Sequence, residues 1–243
     1  MFLKNHPAMK IKDSLVIADL HIGITKDIYD QGIFMPKQSE KMAERINKLK
    51  RITKAKRLVL LGDVKHKVPG FSLHEKYELE KFFGALDFKN ITIVKGNHDG
   101  GIEKMLPVEA IEKVSVKKSM VVGDCFLTHG HRRADTSKKR IVIGHNQPHI
   151  KIRDELGAYY VEPVWLRGRL RGKLKGKQLI VMPAFNELCG ATIVNRDKLL
   201  GPIAKQLDKK KTKVYLIDGT DIGFLSDFIS RSSKITHSRK RQR

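Results

Sequence analysis

Three short apolar runs, at residues 15–18, 58–61 and 91–94, each end on a polar cluster that packing alone does not require. Asp19-Leu-His21 follows the first, Gly62-Asp63-Val-Lys-His66 the second and Gly96-Asn97-His98-Asp99 the third. Between them, residues 37–51 place Met42, Ile46 and Leu49 at helical spacing among charges, and residues 73–86 read as a second helix. Strand, helix, strand, helix, strand is the alternation of an α/β sheet, which gathers ligands at the carboxyl ends of its strands.

Beyond residue 110 the rhythm changes. Residues 113–118 and 119–128 read as a hairpin turning near Gly123-Asp124, and further strands are expected at 141–143, 159–166, 178–182, 191–195 and 213–217. This β-rich half predicts a second sheet packed on the first. No Pro/Gly/Ser-rich linker or solenoid repeat divides the chain, so residues 1–230 are expected to form one domain. Residues 231–243 carry six Lys or Arg and no acid, the composition of a disordered basic tail. No apolar run reaches the roughly 20 residues of a membrane span, and the first residues lack a secretory pattern. Cys125 and Cys189 sit in apolar surroundings and are expected to be reduced, so a cytoplasmic protein is the expectation.

The polar clusters continue with Thr128-His129-Gly-His131 and Gly144-His145-Asn-Gln147-Pro148, and end on Met182-Pro-Ala-Phe-Asn186. The first five clusters supply Asp, Asn and His, ligands suited to hard and borderline divalent cations. Asp19 and His21 lie two residues apart, and the loop beyond a strand end lets both reach one cation. A carboxylate at the mouth of a buried strand, as Asp63 would be, can bridge two. The Gly-Asn-His turn offers the amide oxygen of Asn97 beside the imidazole of His98. Glycines adjoin His129 and His145 and permit close approach of backbone and metal. Any one of these histidines taken alone reads better as a satisfied core or loop side chain. Five ordered clusters together point to metal-assisted hydrolysis of a phosphate ester.

Forty-nine basic against 26 acidic side chains leave a formal charge of +23, more than solubility requires. A field of that size concentrates polyanions at the surface, so nucleic acid is the expected partner. A lysine-rich proteome would account for the lysines, but such proteomes enrich glutamate too, and here the acids lag. Residues 167–177 are basic at every odd position: Arg167, Arg169, Arg171, Lys173, Lys175 and Lys177. An extended strand would put all six on one face, whereas the intervening glycines permit an exposed hairpin tip. Either form offers phosphate contacts; the bland reading is a solvated loop.

The ordered clusters resemble the calcineurin-like metallophosphoesterase superfamily, whose signature runs D-x-H, G-D, G-N-H-[DE], H and G-H-x-H. The segments Pro163-Val-Trp-Leu166 and Met182-Pro-Ala-Phe-Asn186 look like those of archaeal SbcD-related phosphoesterases and bacterial ligase-associated DNA-repair endonucleases. The resemblance implies an α/β fold of two packed mixed β-sheets flanked by helices, an αββα sandwich. It also implies two divalent metal ions, Mn²⁺ foremost, with Mg²⁺, Fe²⁺, Ni²⁺ or Zn²⁺ as alternatives. Carried over by position, one metal takes Asp19, His21, Asp63 and the last residue of the final motif. The other takes Asp63, Asn97, His129 and His145. His98 becomes the proton donor to the leaving group, or a stabiliser of transition-state charge, and Asp99 orients it. His66 matches a phosphate-contacting histidine of the nuclease branch, with a plain surface histidine as the alternative. The bacterial relatives imply a DNA-repair setting and a helicase partner.

One position departs from the pattern. Gln147 stands where the superfamily has its second histidine; a carbonyl oxygen is a weaker donor and favours harder ions. His131 or His149 are the alternatives. The leading expectation is a two-metal phosphodiesterase acting as a DNA or RNA nuclease. A small-molecule phosphoesterase, for cyclic nucleotides or phosphomonoesters, would not need so cationic a surface. A nucleic-acid-binding subunit with a decayed metal site would have lost more ligands than one.

Overall fold

A computed structural model describes residues 1–229, so the basic tail expected at 231–243 lies outside the described residues. Strands β1 (Ala8–Ile11), β2 (Ser14–Ile17), β3 (Arg57–Leu60), β4 (Ile91–Val94) and β5 (Val114–Lys117) form one sheet in that order. The first pair is antiparallel and the others parallel. Helices α1 (Ile24–Asp30), α2 (Ser39–Thr53), α3 (Leu73–Ala85) and α4 (Val108–Ile111) belong to the crossovers. Met42, Ala43, Ile46 and Leu49 of α2 join Leu79, Phe82 and Phe83 of α3 to cover Leu15, Ile17, Leu58 and Leu60. Period 3.6 on the helices and period 2 on the strands thus meet in one layer.

The second sheet runs β12 (Thr192–Ile193), β9 (Pro148–Arg153), β10 (Tyr159–Leu170), β11 (Gln178–Val181), β8 (Arg140–Ile143), β7 (Cys125–Leu127), β6 (Met120–Val122). Off that path, β13 (Leu207–Leu216) pairs with β10 and with β14 (Asp221–Phe224). Val16 and Val59 from the first sheet pack against Leu127, Val142, Trp165 and Ile180 from the second, so the sheets stack face to face. On the outer face of the second sheet, Ile141, Ile143, Val164, Leu166 and Val181 pack with Ile203 and Ala204 of α5 (Gly201–Ala204). The architecture is the expected α/β pair of mixed sheets flanked by helices.

One local reading needs correction, and one left open is decided. Only 120–127 forms the hairpin about Gly123-Asp124; Val114–Lys117 is instead the parallel edge strand of the first sheet. Its half-buried, half-exposed alternation reads the same on an edge strand as on a hairpin arm. The basic run also divides. Arg167 and Arg169 share one face of β10, and residues 171–177, with a 3₁₀ turn at Gly172–Leu174, form the exposed tip of the antiparallel β10–β11 hairpin. Of the two expected forms the hairpin tip is the one adopted, and the six basic residues do not share a face. Both cysteines are free. Among the described residues no helix is long and apolar enough to cross a membrane.

Candidate metal centre

The carboxyl ends of β2, β3 and β4 meet those of β7 and β8 at one edge of the sandwich. Main-chain and side-chain bonds lace the five loops together. Asp19 N–H donates to the Gly62 carbonyl at 3.1 Å and His21 N–H to the Asp63 carbonyl at 2.8 Å. Across the sheets, His145 N–H donates to both Asp19 oxygens, at 3.2 and 3.1 Å. The buried Asn186 amide donates to the Leu20 carbonyl at 2.7 Å and holds the first loop from below.

Left-handed backbone aims the side chains inward. Asp19, His21, Asp63, His145 and Gln147 have φ of 55°, 45°, 49°, 68° and 43°, and make up five of the eight such non-glycine residues described. Each costs roughly 1–2 kcal/mol, so strain concentrated here marks a site rather than chance. Two glycines make the approach possible. A Cβ on Gly62 would lie 2.2 Å from His129 Nδ1, and one on Gly96 2.1 Å from Asp63 Oδ1.

The potential ligand atoms fall into overlapping groups. Asp19, His21 and Asp63 lie within 4.8 Å of one another, and so do Asp63, His129 and His145. Asp63 belongs to both. Its Oδ2 lies 3.7 Å from His21 Nε2 and 3.1 Å from His129 Nε2, while its Oδ1 accepts the His98 N–H at 2.9 Å. His129 Nδ1 donates to the Leu61 carbonyl at 3.0 Å, which fixes the tautomer and turns Nε2 to the centre. That Nε2 is buried and faces only the Asp63 and Asp19 carboxylates, with no well-aligned hydrogen bond, so once its proton is lost it is a donor atom placed for a cation. The residues present therefore fit a pair of divalent cations.

The remaining residues singled out in the sequence take distinct places. Gln147 Nε2 lies 3.0 Å from His21 Nε2, putting this amide at the first group. His149 turns away, its Nδ1 donating to the Gln147 carbonyl at 2.9 Å. His131 lies at a steep angle to His129 and His145, with ring centroids 5.4 and 6.2 Å away, and so stands beside the second group. Asn97 is exposed at the mouth. His98 Nδ1 bonds the His66 carbonyl, and its Nε2 faces Asp63 at 4.0 Å. His66 closes the rim, 3.1 Å from His21 through Nδ1 and 3.1 Å from Asp27 through Nε2.

Asp99 does not touch the His98 ring. Its buried carboxylate accepts Val64 and Lys65 N–H on Oδ1 and Gly96 N–H on Oδ2, clamping the β3 loop to the β4 loop. The His66 carbonyl orients His98 instead. Sequence reasoning also missed Glu75, whose Oε1 accepts His66 and Lys67 N–H at 2.7 and 2.8 Å. Its only sequence signal was the Ser72-x-x-Glu75 spacing of a capping box, and Ser72 Oγ does accept Glu75 N–H. Arg167 stands level, through Ile180, with Val142 near the end of β8, and only Arg169 to Lys177 lie at the opposite end of the second sheet. Arg169 pairs with Gln178, which pairs with Arg140, the first residue of β8; the centre lies past its last. That is roughly 15 Å away.

Electrostatics at the centre follow from burial and from the two carboxylates. Burial, reinforced by the Asp63 charge, raises Asp19 to about 7. Burial would raise Asp63 too, but His129 beside it and the His98 N–H hold it well below the carboxylate range. His129 would be depressed by burial, yet Asp63 and Asp19 lift it to about 9. Burial lowers His21 to about 3 and His145 to about 4, so both offer free lone pairs at neutral pH.

The sequence matches the family described as calcineurin-like phosphoesterase over residues 14–183, more than half of the chain. No curated protein matches it. Among solved structures it is similar to nuclease MPE of Pseudomonas putida, at 19% identity and a TM-score of 0.60, with 89% of this chain and 91% of that one covered. It is also similar to YfcE, a phosphoesterase from E. coli, at 16% identity and a TM-score of 0.39, covering 86% of this chain and 96% of that one. With the family match spanning the strands whose ends carry the Asp and His groups, the chain belongs to the calcineurin-like phosphoesterase family and is a metal-dependent hydrolase of phosphate esters.

Proposed function

We propose that this chain is a two-metal phosphodiesterase that cleaves nucleic acid. The observation that carries the reading is Asp63, one carboxylate shared by two ligand groups. Asp19, His21, Asp63 and Gln147 would hold one cation, and Asp63, Asn97, His129 and His145 the other. The carboxylate and amide oxygens suit Mn²⁺, the metal proposed, while the imidazoles would also accept Fe²⁺, Ni²⁺ or Zn²⁺. Bound there, the pair supplies Lewis acidity and charge neutralisation at the phosphoryl oxygens. His98, held through Nδ1 by the His66 carbonyl, presents Nε2 to the leaving oxygen and gives up its proton there. His66, at the rim, would release Asp27 and donate through Nε2 to a non-bridging oxygen of the substrate. The charge of +23 supports a polyanionic substrate, and the Pseudomonas putida protein of the same fold is named as a nuclease.

Labelled single- and double-stranded DNA and RNA, run beside bis-p-nitrophenyl phosphate with Mn²⁺ or EDTA, test the reading. Cleavage of a polymer only with Mn²⁺ supports it. Cleavage of the nitrophenyl ester alone assigns a small substrate, and binding without any hydrolysis assigns a decayed site.

Gln147→His is expected to tighten the first cation, lowering the Mn²⁺ concentration for half-maximal activity, because imidazole is the stronger donor. If Gln147→His and Gln147→Ala both leave the metal titration unchanged, position 147 is not a ligand.

Metal uptake should also expel protons. At pH 7 His129, lifted to about 9, holds its proton and Asp19, lifted to about 7, holds part of one, so cation binding would displace protons from both. Both shifts are upward, so affinity rises with pH through this range, about tenfold per unit for each proton released, and levels off above 9. Calorimetry in buffers of different ionisation enthalpy measures the number. Proton-independent uptake between pH 6 and 9 would contradict the assignment.

A further inference from the structure

We infer that the β9–β10 hairpin is a platform that stacks and holds a single-stranded segment of nucleic acid leading into the metal centre. The inference rests on the nucleic-acid reading above. β9 starts one residue after Gln147, which touches His21, and it runs outward from the centre. Lys151 is four residues farther on, roughly 13 Å along an extended strand. Antiparallel pairing sets Tyr159 opposite Arg153, Val161 opposite Lys151 and Pro163 opposite His149, so these six side chains share one face. The same face continues down β10 to Trp165, which packs between the two sheets. The hairpin therefore extends, beyond the sandwich, the wall that faces the catalytic edge. Ile150, Ile152 and Val164 alternate onto the other face and pack into the outer core, which anchors the hairpin.

An exposed aromatic ring ringed by cations occupies this wall. Tyr159 is 49% exposed. Lys151 Nζ lies 4.6 Å from its ring centroid, Arg153 Cζ 5.6 Å and Arg196 Cζ 5.9 Å. Arg153 donates to the Gly157 carbonyl at 3.1 Å, and none of the three cations is in an ion pair among the described residues. The hairpin's acids do not answer them. Asp154 accepts the Ala158 N–H at 2.8 Å, Glu162 alternates onto the opposite face, and Glu155 lies in the turn. Three positive charges gathered about one ring repel each other, and a polyanion relieves that repulsion.

The ring decides which polyanion. A duplex keeps its bases stacked and presents phosphates and groove edges, whereas a single strand frees base faces for an aromatic side chain. Tyr159 offers such a face, with Lys151, Arg153 and Arg196 placed for the adjoining phosphates. Residues 167–177 carry no aromatic side chain, and from Arg169 on they lie at the far end of the sheet, so they could serve phosphates only.

The test uses the full chain in EDTA, with fluorescence anisotropy of a short labelled oligothymidylate and of a matched duplex. Tyr159→Ala is expected to weaken the single-strand complex about 5- to 150-fold and the duplex complex far less; Tyr159→Phe, which keeps the ring, restores binding. Replacing Lys151, Arg153 and Arg196 together with alanine should lower the slope of log K against log salt by about two. A thermal melt of each variant checks the fold. An unchanged single-strand constant for a folded Tyr159→Ala overturns the proposal, and if oligomeric state changes instead, a second copy of the chain occupies the hairpin. A wild-type protein that hydrolyses bis-p-nitrophenyl phosphate but neither binds nor cleaves any nucleic acid overturns the substrate reading and this one together.

Discussion

Asp63→Asn is expected to cut Mn²⁺-dependent hydrolysis about a thousandfold or more while the chain stays folded, because two cations each contribute several kcal/mol of charge stabilisation and each 1.36 kcal/mol is tenfold in rate. Asparagine has the same shape, and its amide oxygen can still accept the His98 N–H now bound to Oδ1. What disappears is the negative charge that belongs to both ligand groups. The loss reaches further than one ligand. His129 is held at about 9 chiefly by Asp63 and Asp19 against the opposing effect of burial, so without the Asp63 charge its proton becomes easier to remove. The metal-free centre then has fewer protons to expel, and the proton count on metal uptake should fall along with the activity. Titrating Mn²⁺ against turnover, with circular dichroism as the check on folding, reads the first consequence, and calorimetry in buffers of different ionisation enthalpy reads the second. Retention of more than a tenth of wild-type turnover at saturating Mn²⁺ would refute the shared role.

The parts of this protein that showed in the sequence are those where one local requirement dominates. A buried parallel strand must be apolar on both faces, so residues 15–18, 58–61 and 91–94 stood out, and they match β2, β3 and β4 to within a residue. An Asp or His at the end of such a strand has no packing reason to be there, which is why most of the centre was legible as a set of motifs. Edge strands were harder. A half-buried pattern such as that of Val114–Lys117 does not tell which neighbour the strand will choose. Long-range partnerships were invisible. Nothing local says that Asp99 spends both oxygens on the backbone of two loops, or that Glu75 on α3 holds the His66 loop, because those choices depend on how the crossovers fold back. The basic run at 167–177 shows the opposite hazard. Its periodicity was plain, but position relative to the centre is a property of strand direction, and β10 runs away from the catalytic edge.

His98→Ala is expected to keep both cations and to slow the cleavage of nucleic acid roughly 10²–10⁴-fold, the range general acid catalysis contributes. The geometry supports a role in the chemical step rather than in holding metal. His98 Nδ1 is committed to the His66 carbonyl, and Nε2 stands 4.0 Å from Asp63 Oδ2, next to the shared carboxylate yet beyond hydrogen-bond distance. Alanine removes that ring but leaves the His98 N–H on Asp63 Oδ1, so the loop and the ligand positions persist. A proton donor matters in proportion to how poor the leaving group is. An alkoxide leaving from a sugar needs the proton, whereas nitrophenolate departs nearly unaided. The defect should therefore shrink on bis-p-nitrophenyl phosphate, with the Mn²⁺ titration midpoint unmoved for both substrates. An equal loss on the two substrates would transfer His98 from proton donation to stabilising charge on the phosphoryl oxygens. A shifted midpoint would make it part of the metal-holding set, with His21 and His66, whose ligand atoms lie within 4.8 Å of its own.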